Sequence, residues 1–413
     1  MKKILLTAIA ALLLNAGTVC ASPLDDAAAA YDRGDYPTAI AILKPLATQG
    51  NPVAQTNLGH MYFRGNGIKQ DYLAASKWYR LAATQGDAVT QRMLGVMYFE
   101  GQGVKRDYAA ALKWLRMAAL QGDAYAQTLT GMMYGEGKGV ANDYQEAVKW
   151  YRLAATQGNS VAQAQLGGAY RSGKGVTQDE AEAFKWYRLA AEQGYALAQS
   201  NLGGMYFSGN GVAQDDAEAA KWMRLAAEQQ DAGAQAALGT MYDGGLGVTQ
   251  DFLEAAKWYR LAATKGNASA QTQLGGMYRD GRGVAQDYAE ALKWYRLAAA
   301  QQDSLAQRNL GIMYFKAQGV PQNYAETARW LRLAAAQGDA SAQSVLGKLY
   351  ETGTGVRQDD VRAHMWTNLS VAAGSANGTA EREKIEARLT PQQIVQAQKL
   401  ASECQARNFK ACD

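Results

Sequence analysis

The sequence predicts an all-α protein, a solenoid of helix pairs, and three observations carry this prediction. Nine tryptophans recur every 36 residues, from Trp78 to Trp366, without an insertion or a deletion. A tyrosine keeps the same period from Tyr62 to Tyr350, and a Leu-Gly pair does so with one exception, at Thr130. Fixed periods of about 20–50 residues are typical of solenoids, because one repeat cannot bury its own apolar face and stacks on its neighbours.

Each 36-residue unit is predicted to contain two helices. In the first helix of the first unit, Ala54, Leu58 and Met61 stand at i, i+4 and i+7, the spacing of one helical face. The second helix is predicted from apolar residues at helical spacing, which are Tyr72, Ala75, Trp78, Tyr79 and Ala82.

The starts of the second helices are marked by Asp or Asn, whose short side-chain oxygen accepts an unpaired backbone N–H. This residue is, in turn, Asp71, Asp107, Asp143, Asp179, Asp215, Asp251, Asp287, Asn323 and Asp359. In six units a Glu stands three residues later, which predicts a capping box at Glu146, Glu182, Glu218, Glu254, Glu290 and Glu326. We also expect such a Glu to pair with a Lys three residues further on, as Glu146 with Lys149.

The first helices carry a start signal of the same kind, with Tyr195 as its one departure. The other caps are Asn51, Asp87, Asp123, Asn159, Asp231, Asn267, Asp303 and Asp339. A glycine that fits a left-handed helix end comes just before, as Gly50, Gly86, Gly122, Gly158, Gly194, Gly266 or Gly338. Gln230 and Gln302 replace this glycine in two units, and we expect them to cost stability.

A G-x-G motif lies between the two helices of each unit, first as Gly65-Asn66-Gly67. A phosphate-binding loop would need a preceding strand and a following Lys-Ser/Thr. The sequence predicts neither there, and the motif recurs in all nine units with one lapse, at Ala317. The motif therefore predicts a turn between helices.

The unit resembles the Sel-1-like repeat, a relative of the tetratricopeptide repeat with a longer turn between its helices. The segments L-G-x-M-Y, G-x-G-V, D-Y-x-x-A and K-W-Y-R-L-A-A carry the resemblance, which covers residues 51–373. It implies a right-handed superhelical solenoid of antiparallel helix pairs that serves as an adaptor for protein–protein contacts in signalling, envelope assembly or host interaction. A disulfide-rich branch is associated with penicillin binding, but residues 51–373 contain no cysteine, so this activity is not expected.

The first 21 residues are predicted to be an export signal. Residues 1–3 are basic at Lys2 and Lys3, residues 4–14 are apolar, and Val19-Cys20-Ala21 is a small-residue cleavage site, so the mature chain would begin after Ala21. A lipid anchor on Cys20 is the less favoured alternative, because a small residue is expected in the place of Val19. The apolar stretch is short for a membrane span, and we expect no stable membrane insertion.

The charge of the chain argues against a nucleic-acid partner. Loss of Lys2 and Lys3, the only charged residues among the first 21, lowers the formal net charge from +4 by two to +2. Binding of nucleic acid requires a basic stripe. The recurring Lys-Trp-Tyr-Arg motif keeps the period of the predicted core, and we interpret it as structural.

The two ends are predicted to be caps, since terminal repeats of a solenoid are atypical. Residues 22–50 are interpreted as a degenerate N-terminal capping repeat, residues 51–373 as nine repeats and residues 374–413 as a C-terminal helical cap. A helix is predicted to begin at Thr390-Pro391, with Gln393 completing a capping box.

Cysteine usage agrees with export. Cys404 and Cys412 are predicted to form a disulfide in an oxidising compartment. A reactive or metal-binding pair is the alternative, which the absence of a nearby histidine disfavours.

Catalytic residue types are scarce. The two histidines, His60 and His364, are about eight repeats apart, and His60 takes a position that we expect to be exposed. The sequence shows no Ser-His-Asp pattern and no metal-ligand spacing, so we predict no catalytic residue, no cofactor and no metal.

A candidate partner-binding surface follows from the positions that the repeat leaves free. In the first helix, the residues equivalent to 56, 60 and 63 vary, and their spacing puts them on one stripe, expected to be exposed. We call it the variable stripe. Its candidate residues are Thr56, His60, Phe63, Arg92, Val96, Phe99, Arg171, Phe207, Arg279, Arg308, Ile312 and Phe315. Aromatic and Arg side chains are typical of interface hot spots, while packing against the adjacent repeat is the structural alternative.

The sequence therefore favours an exported scaffold, periplasmic or secreted, that binds a protein or peptide partner on its concave face. We expect a monomer without catalytic activity. A cell-wall or polysaccharide-binding module, which would stack Phe and Tyr on sugar rings, is the alternative. A weak hydrolase that uses two facing carboxylates is a further and less favoured one.

Overall fold

The computed structural model describes residues 22–375, 378–407, Phe409 and Cys412. The predicted export signal lies outside the described residues. Those residues form 22 α-helices and no strand. In chain order the helices are α1 (Pro23–Asp32), α2 (Tyr36–Thr48), α3 (Pro52–Arg64), α4 (Tyr72–Thr84), α5 (Ala88–Glu100), α6 (Tyr108–Leu120), α7 (Ala124–Glu136), α8 (Tyr144–Thr156), α9 (Ser160–Ser172), α10 (Glu180–Glu192), α11 (Ala196–Ser208), α12 (Asp216–Glu228), α13 (Ala232–Gly244), α14 (Phe252–Thr264), α15 (Ala268–Asp280), α16 (Tyr288–Ala300), α17 (Ser304–Phe315), α18 (Tyr324–Ala335), α19 (Ala340–Thr352), α20 (Asp360–Ala372), α21 (Gly378–Glu386) and α22 (Pro391–Ala406).

The helices form two units, and within each unit they pack in sequence. The described residues up to Gln178 form the first unit, with α1 to α9, and those from Asp179 form the second. From α1 to α9, and from α10 to α20, each helix contacts the next one along the chain. Because short connections join contacting helices, neighbours run antiparallel. The all-α solenoid of helix pairs is confirmed.

The predicted Asp and Asn caps are confirmed. Asp71 Oδ1 accepts a hydrogen bond from the N–H of Ala74 at 2.9 Å, and Asn51 Oδ1 accepts one from the N–H of Ala54 at 3.0 Å. Tyr195 makes no side-chain cap, as its residue type predicts. Local chemistry thus fixes the start of nearly every helix in the repeats.

The capping boxes predicted at the six glutamates are wrong. The N–H that Glu146 would accept, that of Asp143, already donates to the carbonyl of Tyr134 at 2.9 Å. Glu146 instead accepts a hydrogen bond from Lys149 Nζ at 2.9 Å, the predicted i, i+3 pair. The same pairing with a Lys or an Arg recurs at Glu182, Glu218, Glu254, Glu290 and Glu326.

The core of a repeat combines small and medium side chains of the first helix with one large side chain of the second. Leu58, Met61 and Tyr79 are all buried. Gly59 lets the Tyr79 ring approach, because a Cβ there would lie 2.6 Å from Cε1 of that ring. The recurring Leu-Gly pair therefore marks the closest approach of the two helices.

The periodic tryptophans lie at the edge of this core. Trp150, Trp294 and Trp366 are buried, and the other six are half-buried. The residue that follows the tryptophan, Tyr79 in the first repeat, fills the centre. The most regular signal in the sequence therefore does not mark the most buried position.

The last two helices cover the end of the second unit. Both α21 and α22 pack on α20, and Leu369 of α20 shares a buried cluster with Ala401 and Cys404 of α22. The predicted capping box of Thr390 and Gln393 is confirmed. Cys404 and Cys412 are joined in a disulfide. Among the helices that the structure describes, none has both the length and the apolar character needed to cross a bilayer.

Candidate partner-binding surface

The variable stripe lies along the first helices of the repeats, and its candidate residues differ in exposure. Phe207 and Phe315 are 42% and 41% exposed, and Arg171 is also exposed. His60 is buried, and the remaining candidates are half-buried, which are Thr56, Phe63, Arg92, Val96, Phe99, Arg279, Arg308 and Ile312. The stripe is therefore open to partners at some repeats and closed at others.

The prediction that His60 is exposed was wrong. Only 9% of the residue is exposed, and its ring packs edge-on against Tyr79 with the centroids 5.3 Å apart. Its Nδ1 donates to the carbonyl of Thr56 at 3.0 Å, and burial lowers the pKa of His60. Thr56 in turn donates its hydroxyl to the carbonyl of Pro52 at 2.8 Å. His60 therefore takes part in the contact between α3 and α4, whereas Thr56 bonds within α3.

Three of the four stripe phenylalanines rest on a tyrosine at the start of the second helix. The ring centroids are 5.1 Å apart for Phe63 and Tyr72. They are 5.3 Å apart for Phe99 and Tyr108, and 5.5 Å apart for Phe315 and Tyr324. Such edge-on and tilted contacts favour a defined ring orientation.

Phe207 lacks such a support, because Asp216 takes the place of the tyrosine in its repeat. Phe207 is 42% exposed. Phe207 and Phe315 are accordingly the two stripe phenylalanines with the largest area free to contact a partner.

Two stripe arginines join neighbouring repeats. Arg92 Nε lies 3.0 Å from an Oδ of Asp123, and Arg308 Nη1 lies 2.9 Å from an Oδ of Asp339. Both carboxylates also cap the first helix of the next repeat. These arginines therefore serve inter-repeat packing, the structural alternative considered for the stripe.

The stripe at α15 carries a polar cluster. Arg279 binds Asp280 with its Nε 2.7 Å from the nearer Oδ, and its Nη1 donates to Asn309 Oδ1 at 3.2 Å. The hydrogen bond to Asp280 raises the pKa of Arg279, and the same bond lowers the pKa of Asp280. Arg279 is thus held in place by the chain itself.

The sequence did not reveal a pocket that interrupts the stripe in the first unit. A cavity of about 310 Å³ opens between α7, α8 and α9, beside Gly135. Its lining includes Met132, Tyr144, Tyr151 and Lys174. The sequence feature that could have indicated this pocket is Gly135, the one glycine among the nine residues equivalent to Phe63.

The sequence also did not reveal a row of exposed apolar residues on the second helices. We call it the leucine row: Leu81, Met117, Leu153, Leu189, Leu225, Leu261, Leu297 and Leu333. Each member is exposed although the residue type is nearly constant along the repeats. The equivalent Leu369 is buried in a cluster with residues of α22.

Comparisons with known proteins agree with this architecture. A model of the Sel1 repeat family matches nine consecutive segments, the first at residues 52–87 and the last at residues 340–375. A comparison with curated proteins finds none that matches.

Two solved structures are similar over most of their own length. The crystal structure of c5321, a protective antigen present in uropathogenic Escherichia coli strains displaying an SLR fold, is 34% identical, with 94% of this chain and 92% of that chain covered and a TM-score of 0.66. A Sel1 repeat protein from Oxalobacter formigenes is 32% identical, with 76% and 93% covered and a TM-score of 0.56. With nine matched repeats and these two structural relatives, the chain belongs to the Sel1 repeat family.

Proposed function

We propose that this chain is an exported, non-catalytic scaffold that binds partner proteins through the variable stripe, on the concave face of its solenoid. The family to which it belongs generally serves as a scaffold for protein–protein interaction. The observation that carries the proposal is the exposure of Phe207 and Phe315, at 42% and 41%, where the repeat does not constrain the residue type. Aromatic anchors of this kind dominate the energy of many interfaces.

Export is supported by features at both ends of the described chain. Ser22 caps α1 through a capping box with Asp25, so cleavage after Ala21 would keep the cap residue. The disulfide of Cys404 and Cys412 suits an oxidising compartment. The related c5321 is a protective antigen, which supports a location accessible from outside the cell.

A crosslinking pull-down from the periplasmic fraction tests partner binding. The test variant carries Phe207→Ala and Phe315→Ala. The matched control carries Leu225→Ala and Leu333→Ala, which remove side chains 38% and 42% exposed from the leucine row. We expect the same defined proteins to be captured by the native chain and the control, and lost by the test variant. Capture that is indifferent to the phenylalanines but lost with the leucines would move the site to the leucine row.

Export has its own test. The intact mass of the protein is measured in the cytoplasmic, periplasmic and culture-medium fractions. We expect a chain that begins at Ser22 in the periplasm or the medium. A full-length chain confined to the cytoplasm would overturn this part of the proposal.

A polysaccharide-binding module is the second candidate, favoured by exposed tyrosines. Tyr125, Tyr144 and Tyr324 are exposed and offer flat rings on which a sugar can stack. Co-sedimentation with purified peptidoglycan separates the two candidates. Saturable binding that survives Phe207→Ala and Phe315→Ala but fails on Tyr144→Ala would favour the sugar ligand.

A further inference from the structure

We propose that the pocket beside Gly135 binds an aromatic side chain of the partner, in a segment where a carboxylate stands next to that ring. This inference rests on the proposed scaffold function and specifies the chemistry of its partner. Two neighbouring repeats of the first unit differ at one of three equivalent positions around this pocket.

In the second repeat, a phenylalanine contacts both a tyrosine and a lysine. The Phe99 and Tyr108 ring centroids are 5.3 Å apart. Lys138 Nζ, from the following repeat, lies 5.1 Å from the Phe99 centroid and 5.9 Å from the Tyr108 centroid. The two rings, which meet edge-on, and the ammonium thus form a cluster in which each group contacts the other two.

In the third repeat, the phenylalanine ring is missing from this cluster. The equivalents of Phe99, Tyr108 and Lys138 are Gly135, Tyr144 and Lys174. Lys174 Nζ lies 5.4 Å from the Tyr144 centroid, so the cation and the tyrosine keep their arrangement. The cavity of about 310 Å³ lies where the phenylalanine would be. The pocket therefore takes the place that the Phe99 side chain occupies in the repeat before it.

Backbone crowding does not prevent occupation of this place. A Cβ on Gly135 would meet only Tyr151 Oη at 3.5 Å and Ala147 Cβ at 3.7 Å, both ordinary contacts. Tyr144 is 41% exposed, whereas Tyr108, under Phe99, is half-buried. An inserted ring would cover Tyr144 as Phe99 covers Tyr108.

The charge at the edge of the pocket indicates which type of residue stands next to the aromatic residue in the partner. Lys138 is neutralised by Glu136, with Nζ 2.6 Å from Oε2. Lys174 contacts the Tyr144 ring, and no carboxylate among the described residues pairs with it. An ammonium without a counter-ion at the edge of an aromatic pocket favours a carboxylate from the ligand. A Phe, Tyr or Trp next to Asp or Glu supplies both groups.

Short synthetic peptides test the proposal on the full mature chain. The probe is the acetylated, amidated hexapeptide Gly-Ser-Phe-Asp-Ser-Gly, with two control peptides in which Ala replaces Phe or Lys replaces Asp. Binding is read from the methyl resonance of Met132, which lines the pocket. We expect saturable binding of the Phe-Asp peptide, about tenfold weaker binding of the Phe-Lys peptide and none of the Ala-Asp peptide.

Two variants make the test specific. Gly135→Phe introduces the residue that the first two repeats carry at this position, so the chain is expected to fold and the pocket to be closed. Lys174→Glu is expected to reverse the preference, so that the Phe-Lys peptide binds better than the Phe-Asp peptide. Lys105→Glu, an exposed lysine that does not line the pocket, is the matched charge control and should change neither affinity.

The outcomes separate this inference from the scaffold function. Equal peptide binding by the native chain and the Gly135→Phe variant, no binding by the native chain, or an unchanged preference in Lys174→Glu would overturn the pocket proposal. Partner capture that survives Gly135→Phe but is lost with Phe207→Ala and Phe315→Ala would refute the pocket and retain the scaffold. Capture that survives all these changes would refute both the pocket and the variable stripe as the binding site, while absence of capture by the native chain would refute the scaffold itself.

Discussion

Gln91 Oε1 accepts a hydrogen bond from Gln121 Nε2 at 2.8 Å, and this pair links the ends of successive helices. Gln91 also donates its own Nε2 to the carbonyl of Ala83 at 3.1 Å. The two glutamines thus connect the end of α6, through α5, to the end of α4. The link recurs at Gln85–Gln55, Gln157–Gln127, Gln229–Gln199, Gln301–Gln271 and Gln337–Gln307.

The donating glutamine of this link is replaced in two repeats, and we expect its restoration in one of them to stabilise the chain. Lys265 stands in the place of the donating glutamine, and its Nζ binds the carbonyl of Gln230 at 2.6 Å. Gln235 Oε1 is left buried without a partner. Lys265→Gln should supply the missing donor and raise the free energy of unfolding by about 1 kcal/mol, measured by urea denaturation.

Lys265→Ala is the control, because it removes the lysine without satisfying Gln235. Ala373 already provides a natural parallel, since Gln343 Oε1 is also buried without a partner in that repeat. If Lys265→Gln raises the free energy of unfolding no more than Lys265→Ala does, the stabilising role of a hydrogen bond to Gln235 is refuted.

Two adjacent glycines of α15 should respond in opposite directions to alanine. A Cβ on Gly275 would lie 2.8 Å from Cδ1 of the buried Tyr295, whereas on Gly276 it would meet only Tyr295 Oη, at 3.5 Å. Gly275→Ala should therefore lower the free energy of unfolding by about 1–3 kcal/mol through overpacking. Gly276→Ala should raise it by about 1 kcal/mol, because alanine favours the helix. Urea denaturation of both variants measures this, and equal effects would refute the close-approach role of the Leu-Gly pair.

The repeat, the helix pairs and the caps were predictable because they depend on residues close in sequence. Asp71 caps the helix that follows it, whatever its tertiary surroundings. The capping box at Glu146 failed because its target, the N–H of Asp143, is taken by the carbonyl of Tyr134 in the preceding helix. A local pattern cannot show that a distant acceptor has satisfied the donor.

The candidate site was predictable only in part, because exposure depends on neighbours in space. Phe207 and Phe315 are exposed as expected for the stripe, but His60 is covered by Tyr79. The pocket exists because Gly135 has no side chain where the preceding repeat has the phenylalanine ring. Tyr144 and Lys174 keep their positions around that space. The glycine at position 135 indicates a pocket only when the positions of the surrounding side chains are known.

A glycine at position 302, which lies just after α16 in a left-handed conformation, should stabilise the chain. Gln302 has a φ of 65°, a conformation that costs a residue with a Cβ about 1–2 kcal/mol. Gln302→Gly relieves this cost and loses part of the gain to greater freedom of the unfolded chain, so we expect a net gain of roughly 0.5–1 kcal/mol. The urea midpoint measures it.

The reverse change is the matched control. Gly266 occupies the equivalent position with a φ of 89°, and a Cβ there would meet nothing within 4 Å. Gly266→Gln therefore tests backbone conformation without a steric clash, and it should lower the midpoint. An unchanged midpoint in both variants would show that the left-handed conformation costs this repeat nothing.

The buried histidine should make stability depend on pH. Burial is the main cause that lowers the pKa of His60 in the folded chain, opposed by the hydrogen bond to Thr56 and with smaller effects of Arg64, Arg92 and Asp87. Above the ordinary value of 6.5, the imidazole is neutral in both states and contributes no pH dependence. As the pH falls through that value, the unfolded chain binds a proton that the folded chain resists, so the free energy of unfolding falls until the folded pKa is passed.

His60→Val should remove this share of the pH dependence, because the equivalent Val96 shows that valine suits the position. The measurement is the difference in urea midpoint between about pH 7.5 and about pH 5 for the native chain and the variant. Carboxylates titrate in both proteins, so their effect cancels when the two differences are compared. We expect the native chain to lose more stability on acidification than the variant. Equal losses would mean that the folded chain protonates His60 as readily as the unfolded chain, which its contact with Tyr79 and its burial argue against.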